Sequence, residues 1–140
     1  MPPSMSGTFS HCVRVYWEDT DAGGIVFYAN HLKYLERART EWLRSLGWSQ
    51  SELRDRLGVL FVVSEANLRY RQPAHLDDEL DVSVSVAQLP RATIRLQQQV
   101  RRGAELLVEA GIALACVDAG SLRVRRIPEA IKHAILESNP

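Results

Sequence analysis

From Gly58 to Val117 the apolar residues fall on alternate positions, and that period excludes helix for much of the chain. Glu79–Leu89 alternates through Leu80, Val82, Val84 and Val86. Ala92–Val100 alternates through Ile94, Leu96 and Gln98. Val59–Arg71 is a long strand candidate that ends at Gln72–Pro73, and Leu76–Asp78 reads as a polar turn. Pro90–Arg91 and Arg102–Gly103 mark two more turns. Glu105–Val117 is longer and more apolar, as a strand near the middle of a sheet should be.

Before Gly58 the period is that of a helix. Asn30 is a suitable N-cap, and Leu32, Leu35, Ala38, Leu43 and Leu46 recur at helical spacing up to Gly47. Glu36, Arg37, Arg39, Glu41 and Arg44 form the charged face. Ser49–Gln50–Ser51–Glu52 has the form of a capping box opening a second, short helix that ends at Gly58. Cys12–Trp17 reads as a short strand with Arg14 outward, and Ile127–Leu136 as a closing helix with Pro128 in its first turn. Strand, long helix, short helix and four turn-linked strands give an α+β class, one helix packed on a curled antiparallel sheet. The 140 residues suit a single domain over 12–140, with residues 1–11 as a loose, flexible tail.

Lysine plus arginine and aspartate plus glutamate both total 17, so no overall field points to nucleic acid. No apolar run has membrane-spanning length, and MPPSMSGTFS lacks the basic start and apolar block of a secretory signal. The expected location is the cytoplasm. Cys12 and Cys116 lie in apolar alternating runs and read as small buried side chains.

The chemistry has few candidate carriers. There is no G-x-S-x-G, no phosphate-binding glycine loop and no i,i+4 histidine pair among His11, His31, His75 and His133. The run Glu18–Asp19–Thr20–Asp21 stands out. A calcium loop beginning at Asp19 would need glutamate at its twelfth position, where Asn30 stands. A solvated acidic turn and a carboxylate acting on an electrophile at the following helix N-terminus are both compatible with the spacing.

The run EDTDAGGIVFYANHLKYLERART resembles the signature of hotdog-fold acyl-CoA thioesterases of the 4-hydroxybenzoyl-CoA thioesterase type, closest to the branch associated with the Tol-Pal system. FVVSEANLRYRQPAHLDDELDV and ALACVDAGSLRVRRIPEAI extend the likeness, which covers about Val13 to Ile131. The resemblance implies a hotdog fold and hydrolysis of an acyl-CoA to free acid and coenzyme A. Asp21 would be nucleophile or general base. Backbone N–H groups around Phe27 and Tyr28 would polarise the carbonyl, with Gly23 and Gly24 allowing close approach. Arg123, Arg125 and Arg126 are candidates for the CoA phosphates, or a charged strand edge. No metal and no cofactor are implied, coenzyme A being part of the substrate. A homodimer or homotetramer with its site at the subunit interface is implied as well.

Several members of that branch carry histidine where this chain has Tyr28, so a histidine-assisted step is not expected. His31 is expected on the first helical turn, facing solvent or a neighbouring subunit. Asp19 is expected to accept loop hydrogen bonds, and Glu36 to pair with Arg37, Arg39 or a strand arginine. Phe27, Trp42, Trp48 and Phe61 are candidates for lining an acyl pocket. Short- or medium-chain and aromatic acyl groups both fit. The alternative reading is a module that binds acyl carrier protein or acyl chains with little turnover. A hotdog dehydratase fits less well, lacking a histidine-plus-acid pair.

Overall fold

The computed structural model describes residues 8–138, and the expected tail falls largely outside them. Strand β1 spans Phe9–Arg14 rather than Cys12–Trp17, so residues 9–11 belong to the sheet and not to the tail. It is followed by helix α1 (His31–Ser45) and by short helix α2 (Gln50–Glu52), which runs into a π-helical turn, Leu53–Leu57. Strands β2 (Val59–Tyr70), β3 (Glu79–Gln88), β4 (Thr93–Arg102) and β5 (Glu105–Asp118) come next, and helix α3 (Glu129–Ser138) closes the chain.

All five strands form one antiparallel sheet in the order β1-β3-β4-β5-β2. The register shifts at Val63/Glu65, Val86/Gln88 and Val100/Arg101. Each such irregularity sharpens the local twist, which helps an antiparallel sheet curl around a helix. Edge strand β2 pairs with β5 on one side only, among the described residues, and leaves Val62 and Val63 exposed.

Helix α1 buries His31, Tyr34, Leu35, Ala38, Trp42 and Leu43. The stripe is rotated from the expected one: Leu32 is 44% exposed, and His31 takes its place in the core. Leu35 and Ala38 lie one and two turns from His31, so packing this face buries His31 and turns Leu32 outward. The sheet meets the helix with Val13, Leu80, Val82, Val84, Ile94, Leu96 and Val100. Gln98, fully buried among them, donates from Nε2 to Leu35 O (3.1 Å) and Ser83 O (3.2 Å) and accepts from Arg39 Nη1 (3.0 Å). The inward glutamine of the alternating run thus pins the sheet to the helix with every polar atom engaged.

Cys116 is buried, but Cys12 is exposed. On β1 the buried Val13 faces inward, so the period of two puts Cys12 with Arg14 on the outer face. The capping box forms: Ser49 Oγ accepts from Glu52 N (3.2 Å) and Glu52 Oε1 accepts from Ser49 N (3.0 Å). Gly58 then stops the π-helical turn in the left-handed region, φ 69°. Ser49→Ala, which removes one of the two bonds, should cost about 1 kcal/mol, read as a lower urea midpoint with unchanged slope.

Candidate functional site

The chain leaves β1 through buried Val15 and makes a 3-10 turn at Trp17–Asp19. Asp19 accepts twice through its side chain: Oδ2 from Tyr16 N (2.9 Å) and Oδ1 from Asn30 Nδ2 (3.1 Å). Its carbonyl accepts from Phe27 N (3.1 Å). The expected loop acceptor is therefore a junction, tying the start of the acidic loop to its end. Asn30 precedes α1 as expected but makes no side-chain cap bond, because Tyr28–Asn30 is itself a 3-10 turn and the amide reaches back to Asp19.

Between these ties the chain turns at Asp21. One carboxylate oxygen, Oδ1, accepts from Gly23 N (2.9 Å) and Ile25 N (3.3 Å), while the main chain closes through Asp21 N to Ile25 O (2.9 Å) and Gly24 N to Asp21 O (3.0 Å). Gly24 sits at φ 75°, which an L side chain adopts only under strain, and the space where a Cβ would stand is open. Asp21 is exposed, and no protein donor reaches its Oδ2 among the described residues. The turn is held against the 74–78 segment by Val26 N to Ala74 O (2.8 Å) and Leu76 N to Gly24 O (3.1 Å).

The chain then enters α1. Phe27 N–H is engaged by Asp19 O, so of the two expected amide donors Phe27 is already committed. Tyr28 opens the next turn, and the first amides of a helical turn have no partner inside it. Tyr70 Oη donates to Tyr28 O (3.0 Å), and the two rings meet edge to face at 6.1 Å. Tyr70 belongs to the strand candidate Val59–Arg71, and its bond to Tyr28 carries no sequence signal.

His31 does not face solvent: it is 3% exposed and packed against Tyr34 (5.7 Å) and Tyr70 (5.8 Å), and its Nδ1 has no partner among the described residues. Burial pulls its pKa from 6.5 to about 4. Glu36 accepts from Thr40 Oγ1 (2.9 Å) and makes no ion pair among the described residues, while Arg39 turns to Gln98.

The three arginines do not join Asp21 within one chain. Arg125 Nη1 donates to Gly58 O (3.0 Å) and Asp118 Oδ1 (3.3 Å), so its role is to anchor the 118–125 segment. Arg126 instead lines a cleft of about 110 Å³ with Arg91 and Lys132. These groups lie at the Val59 end of β2, where Val59 faces Asp118, whereas Tyr70 at the other end carries Tyr28. Twelve residues of strand separate the two ends, or roughly 35 Å at about 3.3 Å per residue.

Beneath α1 lies an apolar cavity of about 190 Å³, walled by Trp42, Leu43, Leu53, Phe61, Ile94 and Leu114. Glu36, Arg39 and Gln50 are its polar margin. Of the four candidate aromatics, Trp42 and Phe61 line it. Phe27 is half exposed beside Tyr28, and Trp48 stacks under Arg56 (4.9 Å). Among the described residues no three metal-ligating side chains are grouped, and no helix is long and apolar enough to cross a membrane.

A helix wrapped by a five-stranded antiparallel sheet, with an exposed aspartate held in a turn just ahead of the helix, defines a hotdog protein. Residues 15–135 match the Thioesterase-like superfamily, and the chain belongs to that family. It is 42% identical over 126 residues to the acyl-CoA thioesterase YbgC of Haemophilus influenzae, covering 90% of this chain and 93% of that protein. Among solved structures, a probable thioesterase from Bartonella henselae superposes with a TM-score of 0.82 at 29% identity, covering 86% of this chain and 99% of that one. A gentisyl-coenzyme A thioesterase superposes with a TM-score of 0.82 at 26% identity, covering 90% of this chain and 98% of that one.

The buried His31 makes stability depend on pH. The unfolded chain binds a proton at this group near pH 6.5, whereas the folded protein resists doing so until about pH 4. The neutral ring's contribution is therefore intact above pH 6.5 and is lost as the pH falls from there toward about 4. The melting temperature should drop between pH 7 and about pH 4.5, and His31→Phe should reduce that drop; equal slopes would refute the assignment.

Proposed function

We propose that the protein is an acyl-CoA thioesterase: water and an acyl-S-CoA give the free acid and coenzyme A. Asp21 acts as nucleophile or as general base on water, and the Tyr28 amide polarises the thioester carbonyl. The observation that carries this reading is the state of the Asp21 carboxylate. One oxygen is anchored by two amides and the other is left without a protein donor among the described residues, on an exposed turn, which suits attack or proton abstraction. The helix that follows directs its N-terminal amides and the positive end of its dipole outward, as stabilisation of a developing oxyanion requires. The name of the Haemophilus relative supports the same activity.

Short- or medium-chain and aromatic acyl groups are the candidate substrates, and the gentisyl-coenzyme A thioesterase, by its name, handles an aromatic acyl group. The cavity under α1 is walled from Glu36 to Leu43 on the helix, roughly 12–22 Å along it from Tyr28 at about 1.5 Å per residue, so its volume does not set the acyl length.

We further assign the working unit to a dimer joined through β2. Its outer edge carries exposed Val62 and Val63, the kind of edge that pairs with another strand. Two-fold antiparallel pairing would set the Val59 end of one β2 beside the Tyr70 end of the other. The partner's Arg123 and Arg126 would then approach this chain's Asp21 turn, where CoA phosphates need cations.

Asp21→Asn tests the chemistry, because asparagine keeps an Oδ1 for both the Gly23 and Ile25 amides. Free-thiol release should be seen from at least one of a panel of aliphatic and aromatic acyl-CoA esters, and on the best ester the variant should lose about a hundredfold or more. No turnover of any ester, with coenzyme A or acyl carrier protein still bound, would replace this reading with a binding module. For the dimer, light scattering should give twice the chain mass. Val62→Lys should yield an inactive monomer, and full activity in a verified monomer would overturn the shared site.

A further inference from the structure

We propose that Asp19 is a positioning residue: its buried hydrogen bonds to Asn30 and Tyr16 fix the Asp21 turn against the amide end of α1. The proposal rests on the thioesterase reading and extends it to a residue that does not touch substrate.

Three features carry it. The first is topology. Asp19 accepts from Tyr16, Phe27 and Asn30, which lie on both sides of the Asp21 turn, so a single residue closes the loop at its base. The Asp21 carboxylate and the Tyr28 amide are each one or two residues from one of these bonds. Their separation is therefore set through Asp19.

The second feature is burial. Asp19 is 6% exposed and Asn30 8% exposed. No Arg, Lys or His makes an ion pair with Asp19 among the described residues. Placing a carboxylate there on two N–H donors without a cation costs stability, and such costs gather at functional sites. The third is the surroundings. Tyr34 Oη is buried beside the pair without a well-formed hydrogen bond, and burial together with Asp19 pushes that hydroxyl above its ordinary range. It stays protonated, so no second anion stands beside the Asp19–Asn30 pair.

The chemistry of the pair supplies the test. Asn30→Asp sets two carboxylates against each other. Asp19→Asn alone is tolerable, since Asn30 can turn its amide over and accept from the amide introduced at position 19. The double variant Asp19→Asn/Asn30→Asp exchanges the two side chains. There the amide oxygen at position 19 accepts from Tyr16 N, and the amide nitrogen donates to the carboxylate at position 30. Both bonds return.

Steady-state kinetics on the best acyl-CoA ester should show kcat down about a hundredfold in Asn30→Asp with KM within about threefold, the loss expected of a catalytic group displaced by about 1 Å. Asp19→Asn and the exchanged pair should both stand within about fivefold of wild type, a coupling that independent structural damage would not produce. If Asn30→Asp does not fold, Asn30→Ala, which removes the bond without repulsion, should still lower kcat at least about tenfold.

The proposal is overturned if a folded Asn30 variant keeps full kcat, or if the exchanged pair regains the wild-type melting temperature but not the rate. It also falls if Asp19→Asn is as damaging as Asp21→Asn, which would make Asp19 a chemical participant. Wild-type protein that turns over no ester would remove the thioesterase reading, and this proposal with it. Turnover by wild type with unaffected Asn30 variants would remove only this proposal.

Discussion

The carboxylate of Asp19 is the constraint on which the site depends. A loop rich in acids and glycine has no internal reason to hold one shape, because its backbone groups could bond equally well to water. Here the loop is closed at its base by three hydrogen bonds to one buried residue, and at its tip by two amides on Asp21. The buried junction determines where the exposed turn lies, and the turn determines where the outer oxygen of Asp21 lies. One acid of the pair is ordered by burial; the other is left in water, where chemistry can use it.

A second polar junction serves the scaffold. Gln98 crosses from β4 to the Leu35 carbonyl of α1 and to Arg39, inside an otherwise apolar interface. Apolar contacts alone would tolerate small slides of the helix across the sheet, whereas an amide with all its groups paired has one favourable position. Because α1 starts at the site, its placement on the sheet also places the Tyr28 amide. Cavity and acidic turn thus share one ruler, the helix, whose start follows the turn and whose later turns wall the cavity.

Much of the fold was legible along the chain. Strands β3, β4 and β5 begin and end within a few residues of the alternating runs, and α1 (His31–Ser45) lies between Asn30 and Gly47. What misled was facing and partnership. Leu32 outranks His31 in hydrophobicity, yet the packed face contains His31. Cys12 alternates with apolar neighbours and still points outward. Arg123, Arg125 and Arg126 form one cluster on paper, but Arg125 is occupied by two carbonyl groups and Asp118, and Arg126 sides with Arg91 and Lys132. Phe27 and Tyr28 look equivalent as amide donors until the Asp19 carbonyl claims one of them.

By itself the sequence determined the local choices: where helix gives way to strand, which turns break the strands, and that an acid pair and two glycines precede a helix. These follow from side-chain periodicity and backbone preference, which act over a few residues. Only the tertiary structure decided which acid is buried and which is exposed, which face of α1 turns inward, and which arginines remain available. Those outcomes depend on groups far apart in the chain, such as Asn30 against Asp19 or Tyr70 against Tyr28. Burial and hydrogen-bond competition are settled only when every element is in place.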